Sequence, residues 1–125
     1  MINYWIQKSD YSSEEWKNVE QVEIVEAFSS FSWAAELGRF DVDDQDNNCP
    51  AGIGIDINDV LLHICPNDKE SVFFNYHYAK DVKILGLIPS TKKAIHYVER
   101  IPVSMVESLI NLHVSGKKEE ILAIS

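Results

Sequence analysis

Three groups of residues have types and spacings that could do chemistry. The first is the acidic run Asp41-Val-Asp-Asp-Gln-Asp-Asn-Asn-Cys-Pro50, in which Asp44-x-Asp46-x-Asn48 has the spacing that opens a calcium loop. A helix-loop-helix calcium site needs Gly at its sixth position and a bidentate Glu at its twelfth. Counted from Asp44, those positions hold Cys49 and Ile55, so the run is read as a polar loop and not as a metal site. The second is His63-x-Cys65, two soft donors that a strand would project to one side. Zinc requires four ligands, which Cys49 and His77 could complete only through the fold. The third is a thiol paired with an imidazole. Reactivity of such a pair depends on a depressed thiol pKa, and nothing near Cys49 or Cys65 in sequence supplies one. No Ser or Cys sits in a nucleophile elbow. Gly52 and Gly54 lack the Lys of a phosphate loop. The expectation is a protein without catalytic residues, metal or cofactor. The polar side chains left over, Asn75, His77 and Asn111, support one alternative: an enzymatic or small-molecule-binding α+β domain with a pocket near His77.

Such residues must be held by a core, and the composition allows one. The chain has 125 residues, 46% of them apolar and 10% aromatic, enough for a single domain over 1–125 without metals or disulfides. Twenty acids against eleven bases give a formal charge of −9, which repels phosphate backbones and anionic lipid surfaces. Nucleic acid and membrane are therefore not the expected partners. The charge is also uneven. Residues 1–46 carry eleven acids and three bases, so that segment holds −8 of the −9. This is either a solvated face or a docking surface for a basic partner.

Cys49 and Cys65 form no Cys-x-x-Cys pair, and a reducing compartment would keep them as thiols, with a disulfide between them left open. The first eight residues lack a basic and then apolar leader, and the longest apolar runs fall far short of the roughly 20 residues of a membrane helix. A cytoplasmic chain is expected.

Periodicity then places the elements. Ser12-Ser-Glu-Glu15 before Trp16 reads as a capping box, with Tyr11 packing on Trp16, and Trp16, Val19, Val22, Val25 and Phe28 recur on one side of a predicted helix over 13–29. Alternation of Phe31, Trp33, Ala35 and Leu37 predicts a strand toward Phe40. Ile53, Ile55 and Ile57 alternate, Asn58-Asp59 turns the chain, and Val60, Leu62 and Ile64 alternate back, so a two-residue hairpin puts all six aliphatics on one face. Further strands are predicted over Val72–Ala79, Val82–Ile88 and Lys93–Glu99, with turns at Lys80-Asp81 and Pro89–Lys92. Phe73, Ile84 and Ile88 suggest that the middle of this meander is covered on both faces. Phe74, Tyr76 and Tyr78 share the other face with Leu62 and Leu85. Ser104-Met-Val-Glu107 opens a last helix whose stripe is Met105, Val106, Leu109, Ile110 and His113, with Gly116 as its stop. The fold class is α+β: an antiparallel meander of about five strands with an N-terminal helix and a C-terminal helix packed on the sheet.

Size, acidity, the segment around Trp16, the stretch Phe31-Ser-Trp-Ala-Ala-Glu36 and the hairpin ending in Leu61-Leu-His-Ile-Cys-Pro66 are the features by which the chain resembles bacterial toxin immunity proteins, especially those of contact-dependent growth inhibition. The resemblance implies a cytoplasmic, non-catalytic protein in a tight one-to-one complex with a cognate toxin domain, commonly a basic nuclease, whose active or substrate-binding site it occludes. On that reading Asp41, Asp43, Asp44 and Asp46 pair with Lys or Arg of the toxin, Glu20, Glu23 and Glu26 assist if the helix lies beside the loop, and Trp33 is an aromatic anchor.

Overall fold

The aliphatic hairpin is the part of the chain most strongly dictated by its own pattern. In a computed structural model, which describes every residue except Val42, Gln45, Asn47, Asn48, Leu85 and Leu87, and of Ile84 the backbone alone, it forms strands β3 (Gly52–Ile57) and β4 (Val60–Pro66). Their register pairs Ile53 with Ile64, Ile55 with Leu62 and Ile57 with Val60, as the alternation requires. Asn58 and Asp59 both take positive φ, 50° and 67°, the backbone of the type I′ turn whose twist suits a tight hairpin.

Around this hairpin lies a six-stranded, wholly antiparallel sheet in the order β2-β1-β3-β4-β5-β6. The architecture is α+β, with helices from both ends of the chain on the sheet. β1 (Ile2–Gln7) was not anticipated, although Ile2, Tyr4 and Ile6 alternate with Asn3, Trp5 and Gln7. The predicted helix over 13–29 is corrected: Ser13–Trp16 is the edge strand β2 and the helix α1 spans only Gln21–Ser30. The local capping pattern lost to nonlocal pairing. Tyr11 and Asn18 take positive φ and bend the chain, the Val19 N–H donates to the Ile2 carbonyl, and Trp16 stacks on Tyr4 with ring centroids 4.8 Å apart. Tyr11 is exposed and does not staple a helix. The buried stripe of α1 is Ile24 and Phe28, one helical turn apart.

The strand expected toward Phe40 is instead the helix α2 (Trp33–Arg39). Its Ala-Ala-Glu-Leu centre favours helix intrinsically, and a buried carboxylate fixes it: Glu36, 3% exposed, accepts from the backbone N–H and hydroxyl of Ser9 and pairs with Arg39 at 2.9 Å.

β5 (Ser71–Ile84) and β6 (Ile88–Pro102) run straight through the two predicted turns, at Lys80-Asp81 and Pro89–Lys92. The reversal comes between them, where Gly86 supplies a φ of 73° without the steric cost of a Cβ. Pro89 is tolerated because β6 is an edge strand with one side of its backbone unpaired. β5 meets β4 only as far as His77, so its second half and its partner on β6 project as a two-stranded arm with Lys80 opposite Lys92.

After a 3-10 turn (Val103–Met105), α3 (Val106–Val114) begins without a side-chain cap, so Ser104 does not play the expected capping role. Its buried stripe is Val106, Leu109, Ile110 and His113, while Met105 is exposed. Gly116 ends it at φ 70°, and a short α4 (Lys118–Leu122) buries Ile121. The core lies between α1, α3, α4 and one sheet face: Ile24, Phe28, Leu109, Ile110 and Ile121 against Ile53, Ile55, Leu62, Ile64 and Phe74. The expectation of cover on both faces is corrected. Register puts Ile88, 56% exposed, on the opposite face from Phe73, and among the described residues the second face is roofed at the α2 corner, where Leu37 and Phe40 meet Pro66 and Phe73 around a cavity of about 150 Å³. The expected neighbour Leu85 lies outside the described residues. No helix among those described is long and apolar enough to cross a membrane.

Candidate functional site

Because side chains alternate across a strand, the strands that send Tyr4, Ile55, Leu62, Phe74 and Val98 into the core send another set outward. Glu15 of β2, Trp5 of β1, Gly54 of β3, His63 of β4, Asn75 of β5 and Tyr97 of β6 are successive register partners, one row across all six strands. A second row beside it runs Asn3, Asp56, Leu61, His77 and Ile95. Tyr97 and Ile95 are 55% and 62% exposed, and Trp5, Leu61, His63, Asn75 and His77 are half-buried. The open face is therefore aromatic, amphipathic and rich in hydrogen-bonding groups.

Its geometry is set by the absence of a side chain at Gly54. A Cβ there would collide with the Trp5 ring, which lies over the β3 backbone and tilts toward His63 with centroids 5.0 Å apart. Two grooves lie on this face, one of them lined by the ring. One, of about 540 Å³, lies over Trp5, Glu15 and Asp56; the other, of about 750 Å³, runs past His77, Thr91 and Lys92; both include Asp59, Leu61 and Lys93.

The soft donors singled out in the sequence do come together. Cys65 Sγ lies 3.3 Å from His63 Nε2. The contact does not activate the thiol: burial, with the neighbouring Cys49 adding to it, pushes Cys65 up to about 12, so almost no thiolate exists near neutral pH. Burial also raises Cys49, whose Sγ is 3.5 Å from the Lys8 carbonyl. His63 is held below its ordinary value by burial and by His77, so it is neutral at pH 7. Both cysteines are free thiols. Among the described residues no three His, Cys, Asp or Glu side chains are placed to hold a metal ion, and Asn48 of the calcium-like run lies outside those residues.

The acidic residues do not form one patch. Glu20, at the N-cap of α1, and Glu23 and Glu26 on the helix are exposed, and the helix starts beside Ile2 at one end of β1. Asp41, Asp43, Asp44 and Asp46 are exposed on the loop whose far end is tied to the other end of β1, through the Cys49 N–H to the Ser9 carbonyl. The two sets thus belong to segments anchored at opposite ends of that strand. Trp33 is half-buried: its indole N–H donates to the Phe28 carbonyl at 2.7 Å and its ring packs on Phe28 and Phe31. Asn75 lies on the open face but not in the groove at His77, and Asn111 is on α3, on the covered side. Sequence reasoning missed Trp5, Glu15, Asp56, Asp59 and Tyr97. The alternation of Ile2 to Gln7 was the signal that could have placed Trp5 outside. Comparison with known proteins finds no matching family model, no matching curated protein and no matching solved structure.

Proposed function

We propose that the chain is a cytoplasmic immunity protein that binds and neutralises a cognate bacterial toxin domain, a basic nuclease, by occluding its active or substrate-binding site. The observation that carries the reading is the placement of the acids. Of the eleven carboxylates in residues 1–46, ten are exposed and Glu36 alone is buried. Net negative charge carried by these exposed acids speeds encounter with a basic cleft and rejects phosphate, the nuclease's own substrate. With the acids divided between α1 and the 41–46 loop, two separate basic elements of the toxin can be engaged at once, with the open sheet face beside them.

The test is co-expression with the toxin encoded beside it. We expect a one-to-one complex and protection of the cell. Reversing Glu20, Glu23 and Glu26, or Asp41, Asp43, Asp44 and Asp46, to Lys should each slow association about tenfold or more at low salt and flatten its salt dependence. Absence of both complex and protection overturns the reading. A second reading, a small-molecule or enzymatic domain, is favoured by the groove at His77, and ligand-dependent thermal shifts lost on His77→Ala would support it.

A further inference from the structure

We infer that the groove over Trp5 is the seat of an arginine side chain presented by the basic partner. The inference rests on the proposed function and locates the contact on the open sheet face instead of the acidic loop.

Four observations converge on that chemistry. Glu15 from β2, Asp56 from β3 and Asp59 from the β3–β4 turn line one groove with a single ammonium, Lys93, so the site is net negative by two charges. None of those three carboxylates makes a hydrogen bond or ion pair within the chain among the described residues. Trp5 forms an aromatic wall there, and its position is imposed by Gly54, since any larger residue would displace the ring. Finally, Leu61 gives the groove an apolar component that a strongly hydrated ion would have to desolvate.

A guanidinium meets all four conditions. It is planar and weakly hydrated, so it stacks on an indole, and its forked N–H donors can reach carboxylates at the edges of the ring. A lysine ammonium is compact and strongly hydrated, makes no bidentate pair and gains less from the apolar wall. Anionic groups are excluded by the charge. The groove therefore selects not only basic over acidic partners but arginine over lysine.

The test titrates the isotopically labelled full chain with blocked hexa-arginine and hexa-lysine peptides, following the Trp5 indole N–H and the amides of Asp56 and Asp59 by NMR. Hexa-arginine should shift these resonances and bind about fivefold more tightly than hexa-lysine. Trp5→Leu and the double variant Asp56→Asn/Asp59→Asn should each weaken hexa-arginine about fivefold, whereas Lys93→Gln should tighten it about twofold. Trp5 is not part of the core cluster, and the Asn pair keeps the turn, so one variant serves if the other folds poorly. Equal affinity for the two peptides, or shifts confined to the 41–46 loop, overturns the inference. The same variants are then tested in the toxin complex. A complex that forms and is unaffected by them removes the arginine seat and leaves the immunity reading standing. Arginine binding at Trp5 with no toxin complex and no protection removes the immunity reading and keeps the seat.

Discussion

The two faces of one sheet are built from the same strands and do opposite work. On the covered face Ile55, Leu62 and Phe74 are fully buried against Ile24, Leu109 and Ile110. On the open face the residues between them, Gly54, His63, Asn75 and their row partners Trp5 and Tyr97, form a surface whose shape depends on one missing side chain. Period-2 alternation thus separates stability from recognition at single-residue resolution, so a substitution on one face should leave the other's task almost untouched.

The largest expected effect tests that separation. Phe74→Ala should cost about 3–5 kcal/mol by removing a fully buried ring, whereas Tyr97→Ala on the neighbouring strand should fall within about 0.5 kcal/mol. Urea unfolding measures both, and comparable losses would break the distinction.

A second test uses one histidine from each face. His113, on the covered side, is held below its ordinary value chiefly by burial, with the Ile55 carbonyl, 2.9 Å from Nε2, and Asp56 pulling the other way. His63, on the open side, is lowered by burial and by His77. In both cases the unfolded chain binds the proton more readily than the folded one, so stability is fully present above about pH 6.5 and is lost as pH falls from there through the depressed native values. The urea midpoint should therefore decline between pH 7 and pH 5, and His113→Gln and His63→Gln should each remove part of that slope. A slope unchanged in both variants would mean that neither imidazole is buried neutral.

The smallest effect joins the two tasks in one residue. Asp59 pays for a φ of 67° in the turn and lines the groove over Trp5. Asp59→Gly should raise stability by about 0.5–1 kcal/mol, because glycine takes positive φ without strain, while weakening hexa-arginine binding. If binding is unchanged, Asp59 belongs to the turn alone.

How far the sequence could be read varied along the chain for identifiable reasons. The β3–β4 hairpin was legible because two alternating runs joined by two residues admit one register that keeps six aliphatics together. The stripe of α3 was legible because Val106, Leu109, Ile110 and His113 follow the helical repeat. By contrast, Ser12 to Trp16 satisfies a helix-capping pattern and still forms a strand, since β1 offers it backbone partners and Tyr4 offers Trp16 a stacking surface. Phe31 to Leu37 alternates like a strand and still forms a helix, held by a buried carboxylate whose partner, Ser9, is 27 residues away. The acidity of the first 46 residues was legible; its division between the two ends of β1 was not, because that depends on where α1 and the 41–50 loop return to the sheet.

The amino-acid sequence by itself determined the α+β class, the central hairpin with its register, the helical stripe near the C-terminus and the concentration of negative charge, because each is a matter of local period or of counting. Only the tertiary structure decided which face of the sheet stays open, that Trp5 lies over Gly54, and that Glu15, Asp56 and Asp59 meet around it. Those depend on strand order and on what the helices cover, and both are settled by contacts between residues far apart in the chain, where no local pattern reaches.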